Sequence, residues 1–296
     1  MTTLTSASWP LSEGDFKSLC ERGEPVIFRG AAADWPCTRL WSPEYLASKL
    51  KTKQVTVSRS ETPLFTADPE RGHYLPDQQQ AMPFEEFLQH TLAPHGPPHY
   101  YLHKHSLEKQ LPELRDDIVV PDHIRNFPTL LISLWMGPKG SITPIHHDFT
   151  DNFFVQVRGK KRVILFPPEP EAAFYRMPFR AQNARSSWHV SRVGTLDGVN
   201  RATFPNFEAA RPIDVLVEHG DLLYIPVFYW HEVHSVDSPS MSLSYWWEER
   251  SLPEIDASIA KITELVDLYG TASASWKALI ERIVSEHVIG RAKPKP

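Results

Sequence analysis

Apolar positions along this chain fall in short runs broken by glycine, proline and polar residues, and their period changes along the length. Residues 1–24 read as an arm followed by a short helix, and Pro25-Val26-Ile27-Phe28-Arg29-Gly30 as a buried strand closed by glycine. The pattern predicts a helix over 41–50, a short strand at 55–57, a helix over 82–90 with Pro83 in its first turn, and a strand at 98–102. From Thr129 onward strands dominate, at 129–136, 152–158, 160–166, 213–218, 221–225, 231–236 and 241–247. Helices on either side of such a series suggest a mainly β sandwich or barrel with helical additions. The stretch 176–212 is polar and irregular, a length more common in functional loops than in plain connections. After residue 250 the period shifts to three or four: Ile255, Ile259, Ile262, Val266 and Tyr269 form one stripe, and Trp276, Ile280, Ile283 and Val284 a second. Gly270 separates them. The expectation is a C-terminal helical hairpin that packs on its own domain or forms a homodimer interface.

Composition narrows the classes. The 296 residues suit one large β domain with helical additions, and 41% hydrophobic content supplies a substantial core. With 31 basic and 36 acidic residues the net charge is −5, which disfavours a broad nucleic-acid surface but leaves a local basic patch open. Two cysteines, Cys20 and Cys37, make no disulfide scaffold and fit a reducing compartment. The chain shows no run of 18 apolar residues and no signal-like start, so the expectation is a soluble cytoplasmic protein. The 27 prolines and 11% aromatic content favour short elements joined by many turns.

The most informative chemistry is His146-His147-Asp148, followed by His231 after Gly220-Asp221-Leu222-Leu223-Tyr224-Ile225-Pro226. In an extended segment residues 146 and 148 share a face and 147 points away, so His146 and Asp148 can share a metal and His147 cannot. By the same alternation His234 lies opposite His231. Two histidines and a carboxylate hold a divalent metal on one triangular face and leave positions open for a co-substrate and oxygen, as in non-haem Fe(II) oxygenases. The same donors suit Zn, Mn or Ni, although the absence of cysteine ligands disfavours a closed structural zinc site.

The runs Thr143-Pro144-Ile145-His146-His147-Asp148, Asn152-Phe153-Phe154, Gln156, Gly159-Lys160-Lys161-Arg162 and Leu165-Phe166-Pro167-Pro168 resemble the first half of a JmjC-type, cupin-like oxygenase core. The segment 220–226, Trp230-His231 and Ser242-Leu243-Ser244-Tyr245-Trp246 resemble the second half. The chain is similar to the family's asparaginyl hydroxylase acting on hypoxia-inducible factor and to its tRNA wybutosine hydroxylase. The resemblance is strong over roughly 97–250 and looser before that. It implies a double-stranded β-helix, a jelly roll that uses Fe(II), 2-oxoglutarate and O2 to hydroxylate a C–H bond. It implies His146, Asp148 and His231 as metal ligands, and Lys161 as the cation for the distal carboxylate of 2-oxoglutarate. It makes Thr143 and Tyr101 hydroxyl donors there, places Asn152 beside the co-substrate and puts Trp246 near the site. Ser244 departs from the asparagine of the asparaginyl hydroxylase, and 186–196 lacks the glutamine with which that enzyme grips its target amide.

The domain expectation is a catalytic unit over 1–250 and a dimerising helical region over 251–296. The expected substrate is a protein side chain, with tRNA second, because Lys160, Lys161, Arg162 and the tail 291–295 leave nucleic acid open. Methyl-lysine demethylation uses the same core. The competing classes are a non-oxygenase metal cupin, an isomerase or hydrolase, and a silent binding module.

Overall fold

The structure is a computed structural model that describes residues 4–65, 79–93, 96–176 and 190–247. Thirteen strands form two sheets. The first eight are β1 (Thr5–Ser6), β2 (Val26–Phe28), β3 (Gln54–Ser60), β4 (Gln79–Pro83), β5 (His99–Ser106), β6 (Leu131–Gly137), β7 (Ile142–His146) and β8 (Asp151–Arg158). The remaining five are β9 (Lys161–Phe166), β10 (Ile213–Val217), β11 (Leu222–Ile225), β12 (Trp230–Ser235) and β13 (Ser240–Trp247). The larger sheet runs β1-β2-β11-β8-β13-β6-β5-β3-β4 and the smaller β10-β9-β12-β7. All pairings are antiparallel except that of β1 with β2.

Side-chain alternation explains how the sheets pack. Ile27, Phe154, Leu223 and Ile225 of the larger sheet meet Val163, Leu165, Val215 and Val217 of the smaller one in a single apolar cluster, so the sheets lie face to face as a jelly roll. The intervening residues Phe28, Phe153, Val155, Leu222, Leu243 and Tyr245 point to the other face of the larger sheet, where the helices cover them. Those helices are α1 (Glu13–Arg22), α2 (Pro36–Leu40), α3 (Pro43–Leu50), α4 (Phe84–Leu92) and α5 (Asp122–Arg125). The outer face of the smaller sheet buries Ile145, Ile164, Phe166 and Trp230 against Phe174, Val193 and Phe207. Much of the 176–212 stretch therefore has a packing role: the described part, from residue 190, docks on the sheet through Ile145 N–H to Gly194 C=O and Leu196 N–H to the buried Glu232.

Local chemistry shifts several element ends. The helix expected from Trp41 starts at Pro43, because Ser42 caps it by accepting from the Tyr45 N–H and Pro43 needs no donor at the first position. Trp41 is instead fully buried and donates its indole N–H to Asp117. The helix expected over 82–90 runs from Phe84 to Leu92, and Met82 and Pro83 end a polar edge strand paired with β3. Arg158-Gly159-Lys160 is a corner and no hairpin: β8 and β9 belong to opposite sheets. Gly159 makes that corner with φ +69, and an added Cβ would meet the Pro239 carbonyl at 2.9 Å. Among the described residues no helix is long and apolar enough to cross a membrane. The C-terminal helices expected over 251–296, and with them the dimer interface, lie outside the described residues.

Candidate metal centre

His146 ends β7 and His231 is the second residue of β12, and the two stand directly opposite each other in the antiparallel pair. A shift of register between His231 and Val233 marks a bulge at this point, a common device for aiming a side chain. Asp148 lies two residues beyond the end of β7. One donor atom from each of His146, Asp148 and His231 lies within 4.8 Å of the others. The His231 Nε2 is 4.0 Å from Asp148 Oδ2, and the two imidazoles have centroids 4.2 Å apart.

Hydrogen bonds orient all three. His146 Nδ1 donates to the Pro144 carbonyl at 2.8 Å, and His231 Nδ1 donates to the Tyr229 carbonyl at 2.9 Å. Each bond fixes the tautomer and leaves Nε2 as the electron-pair donor. Trp246 Nε1–H donates to Asp148 Oδ2 at 2.8 Å. Burial and the adjacent His231 push His146 down to about 4, so it is neutral at pH 7. Burial alone would raise the Asp148 carboxyl, but His231, His146, the Trp246 N–H and Lys104 together hold it below the ordinary carboxylate value.

His147 points away, as alternation requires. It is fully buried, with Trp230 edge-on at 4.7 Å, and its Nδ1–H donates to the Asp148 carbonyl. Its Nε2 accepts from Arg176, whose guanidinium lies 4.8 Å over Trp230 and also bonds Glu171. His234 likewise lies on the outer face, bonded to Glu232.

Lys161 opens β9 and points between the sheets, 1% exposed. Its Nζ donates to Ser242 Oγ at 2.7 Å and to Tyr101 Oη at 3.2 Å, and it lies 5.5 Å from the Phe154 ring centroid. No carboxylate of the described residues forms an ion pair with it, and burial pushes the ammonium down to about 7. Tyr101 reaches this point because its neighbour across the β5–β6 ladder is Gly137, and any Cβ there would overlap the tyrosine ring. Asn152 is buried, and its side-chain carbonyl oxygen has no hydrogen-bond partner. Thr143 is buried in β7 opposite Val233, and its hydroxyl does not bond Lys161.

Ser242 is the residue that sequence reasoning missed. Its signal was the period-two series Ser242, Ser244, Trp246, which puts polar groups on the inner face of an otherwise apolar strand.

The donors fit the group they are asked to hold. Two imidazoles and a carboxylate match a divalent metal such as Fe(II). A buried ammonium that among the described residues meets only hydroxyls and rings matches a small anion.

A jelly roll with two histidines and a carboxylate on one rim, and a buried lysine below, is the arrangement of a cupin-type metal protein. A family model described as "Cupin-like domain" matches residues 13–252. The chain is 30% identical over 244 residues to "Lysine-specific demethylase JMJ30" of Arabidopsis thaliana, covering 81% of this chain and 53% of that protein. It is 28% identical over 231 residues to "Lysine-specific demethylase 8" of Xenopus tropicalis, with 76% and 48% covered. It is also 28% identical over 261 residues to "HSPB1-associated protein 1" of Mus musculus, with 81% and 52% covered. The chain belongs to the cupin-like JmjC family, the 2-oxoglutarate oxygenase class that uses Fe(II), 2-oxoglutarate and O2. It spans about half the length of these relatives.

Proposed function

We propose that this chain is a 2-oxoglutarate-dependent hydroxylase that oxidises a C–H bond of a protein side chain. The observation that carries the reading is one barrel interior holding both His146, Asp148 and His231 at metal-binding separation and a buried Lys161 without a carboxylate partner. Fe(II) with 2-oxoglutarate and O2 supplies the oxidising power for C–H cleavage, with succinate and CO2 as by-products.

The protein's own residues do the placing. His146 and His231 offer Nε2 because their Nδ1 protons are committed to backbone carbonyls. Asp148 offers the carboxylate that Trp246 steers. Lys161, with Tyr101 and Ser242 beside it, receives the distal carboxylate of 2-oxoglutarate, and a charge-assisted bond in this dry setting is about twice as strong as a neutral one. Thr143 and Asn152 complete the polar lining. The apolar cluster around Val163, Leu165 and Phe154 keeps water from the anchored end.

The test is anaerobic titration of Fe(II)-loaded protein with 2-oxoglutarate, read by the visible metal-to-ligand charge-transfer band. A band in the wild type that is lost in His231→Ala supports the assignment. Its absence with iron incorporation verified would overturn it.

Relatives named as lysine-specific demethylases support a second product from the same first step. Hydroxylation of an N-methyl carbon releases formaldehyde, whereas hydroxylation of a carbon-bound C–H leaves a stable alcohol 16 Da heavier. Mass analysis of the oxidised protein with a formaldehyde assay separates the two.

A further inference from the structure

We propose that Lys104 is a specificity-determining residue that receives an acidic side chain of the protein substrate at the mouth of the barrel. The inference rests on the hydroxylase reading and names the kind of protein segment that site accepts.

The β5–β6 ladder breaks between Leu102 and His105, and His103 and Lys104 fill the irregularity. Lys104 has φ +54, the left-handed region that a residue with a side chain rarely adopts. Strain of this kind collects where a side chain must be aimed. Here it carries the ammonium to 4.9 Å from the ring centroid of Trp246, the residue whose N–H holds Asp148. His103 packs on Trp135 with centroids 4.5 Å apart, and Trp135 meets Trp246 edge-on at 5.8 Å. The result is an aromatic floor beside the candidate metal ligands, carrying the Lys104 ammonium as its one cation among the described residues.

Lys104 is exposed. Lys104 lies within electrostatic reach of Asp148, whose carboxyl it helps hold down, but it forms no direct ion pair with any carboxylate of the described residues, whereas Lys17, Lys53 and Lys160 each have a glutamate partner. A cation held over the π face of Trp246 has two effects. It fills the position where an indole would otherwise attract a cationic side chain, so a lysine or arginine approaching that face meets like charge. It also offers an incoming carboxylate a partner poised on an apolar surface, where the interaction is less screened than in open solvent. An acidic peptide fits this better than RNA. Phosphate tracking needs a row of cations, and the neighbours of Lys104 on this floor are the rings of His103, Trp135 and Trp246.

The experiment uses the full chain, loaded anaerobically with Fe(II) and 2-oxoglutarate. Two fluorescein-labelled pools of 13-residue peptides share a randomised uncharged centre and carry four flanking glutamates or four flanking lysines. A random single-stranded RNA 13-mer is the third probe. Binding is read by fluorescence anisotropy. The wild type should bind the glutamate pool about tenfold more tightly than the lysine pool, and Lys104→Glu should reverse that order. Equal binding of the two pools, or a glutamate preference that survives in Lys104→Glu, would overturn the assignment. RNA that outcompetes the glutamate pool and loses affinity in Lys104→Glu would also overturn it, in favour of phosphate recognition. The charge-transfer band in the same samples reports separately on the hydroxylase reading. A missing band with the charge preference intact would sink that reading and leave acidic-peptide recognition standing.

Discussion

Lys161 and Arg162 are adjacent cations on one strand, and they live in opposite worlds. Arg162 faces out from the smaller sheet and holds two carboxylates: its Nε and Nη2 meet Asp214 at 2.8–3.1 Å, and its Nη1 meets Asp197 at 2.8 Å. Hydrogen bonds to Asp214 are the largest of the effects that push its pKa further up. Lys161 faces in, touches only two hydroxyls and two rings, and is pushed down to about 7 by burial. A protein seeking stability alone would place an apolar residue there. The outer cation is paired by the fold, and the inner one has no carboxylate partner among the described residues.

The largest way to break this contrast is to remove what makes the inner face chemical. His146→Ala, Asp148→Ala or His231→Ala should abolish 2-oxoglutarate-dependent O2 consumption while the circular dichroism spectrum stays that of the wild type. Full turnover in any of the three would refute the ligand set.

Lys161→Met sharpens the contrast next. It should weaken 2-oxoglutarate by about 30–140-fold, the scale of a charged hydrogen-bonding partner worth ~2–3 kcal/mol. The same variant should be more stable than the wild type at pH 7 by on the order of 2 kcal/mol, because an unpaired buried charge is gone. The sign follows from linkage. Between about 7 and the unfolded lysine value the unfolded chain binds more protons, so wild-type stability rises with pH across that window. Affinity for 2-oxoglutarate moves the other way, falling above pH 7 as Lys161 loses its proton, with proton uptake on binding visible by calorimetry in buffers of different ionisation enthalpy. Reduced stability in Lys161→Met, with affinity unchanged, would show that the lysine is structural.

Trp246→Phe removes the N–H that steers Asp148 and should lower Fe(II) affinity by about 10–100-fold, the usual cost of losing a group that orients a metal ligand. Competition with a chelator measures it, and an unchanged constant would remove Trp246 from the centre. Gly137→Ala should displace the Tyr101 ring and raise the 2-oxoglutarate requirement by about tenfold. Tyr101→Phe, which keeps the ring and loses only the hydroxyl, should do less, and a larger effect of Tyr101→Phe than of Gly137→Ala would contradict the packing account. The smallest effect belongs to the outer face. Arg162→Met should leave 2-oxoglutarate binding untouched and cost under about 1 kcal/mol in urea unfolding, since its ion pairs are partly exposed.

Much of this was legible along the chain. Strands β8 to β13 announced themselves as apolar runs between glycine, proline and polar breaks. Alternation alone separated His146 and Asp148 from His147, and His231 from His234. Other elements were silent for physical reasons. Pro144 interrupts β7, so the segment carrying His146 has no apolar run to mark it as a strand, and its pairing with β12 defines it. Gln79-Gln80-Ala81 of β4 is too polar to read as a strand, because an edge strand gains its order from the ladder and little from burial. Ser242 shares its inner face with Ser244 and Trp246, but nothing local ties it to Lys161, which only the fold brings to it from 81 positions away.

The sequence by itself determined the alternation, and with it which faces are apolar, which residues share a face, and which donor types stand ready for a metal. Those properties follow from the two-residue period of extended chain, which each segment carries locally. Only the tertiary structure decided which faces meet. Closing the two sheets on one another put His231 across from His146, seated Lys161 between Tyr101 and Ser242, and brought Lys104 over the Trp246 ring. These relations join strands distant in the chain, and no local pattern encodes them, because they exist only once a common core has been buried.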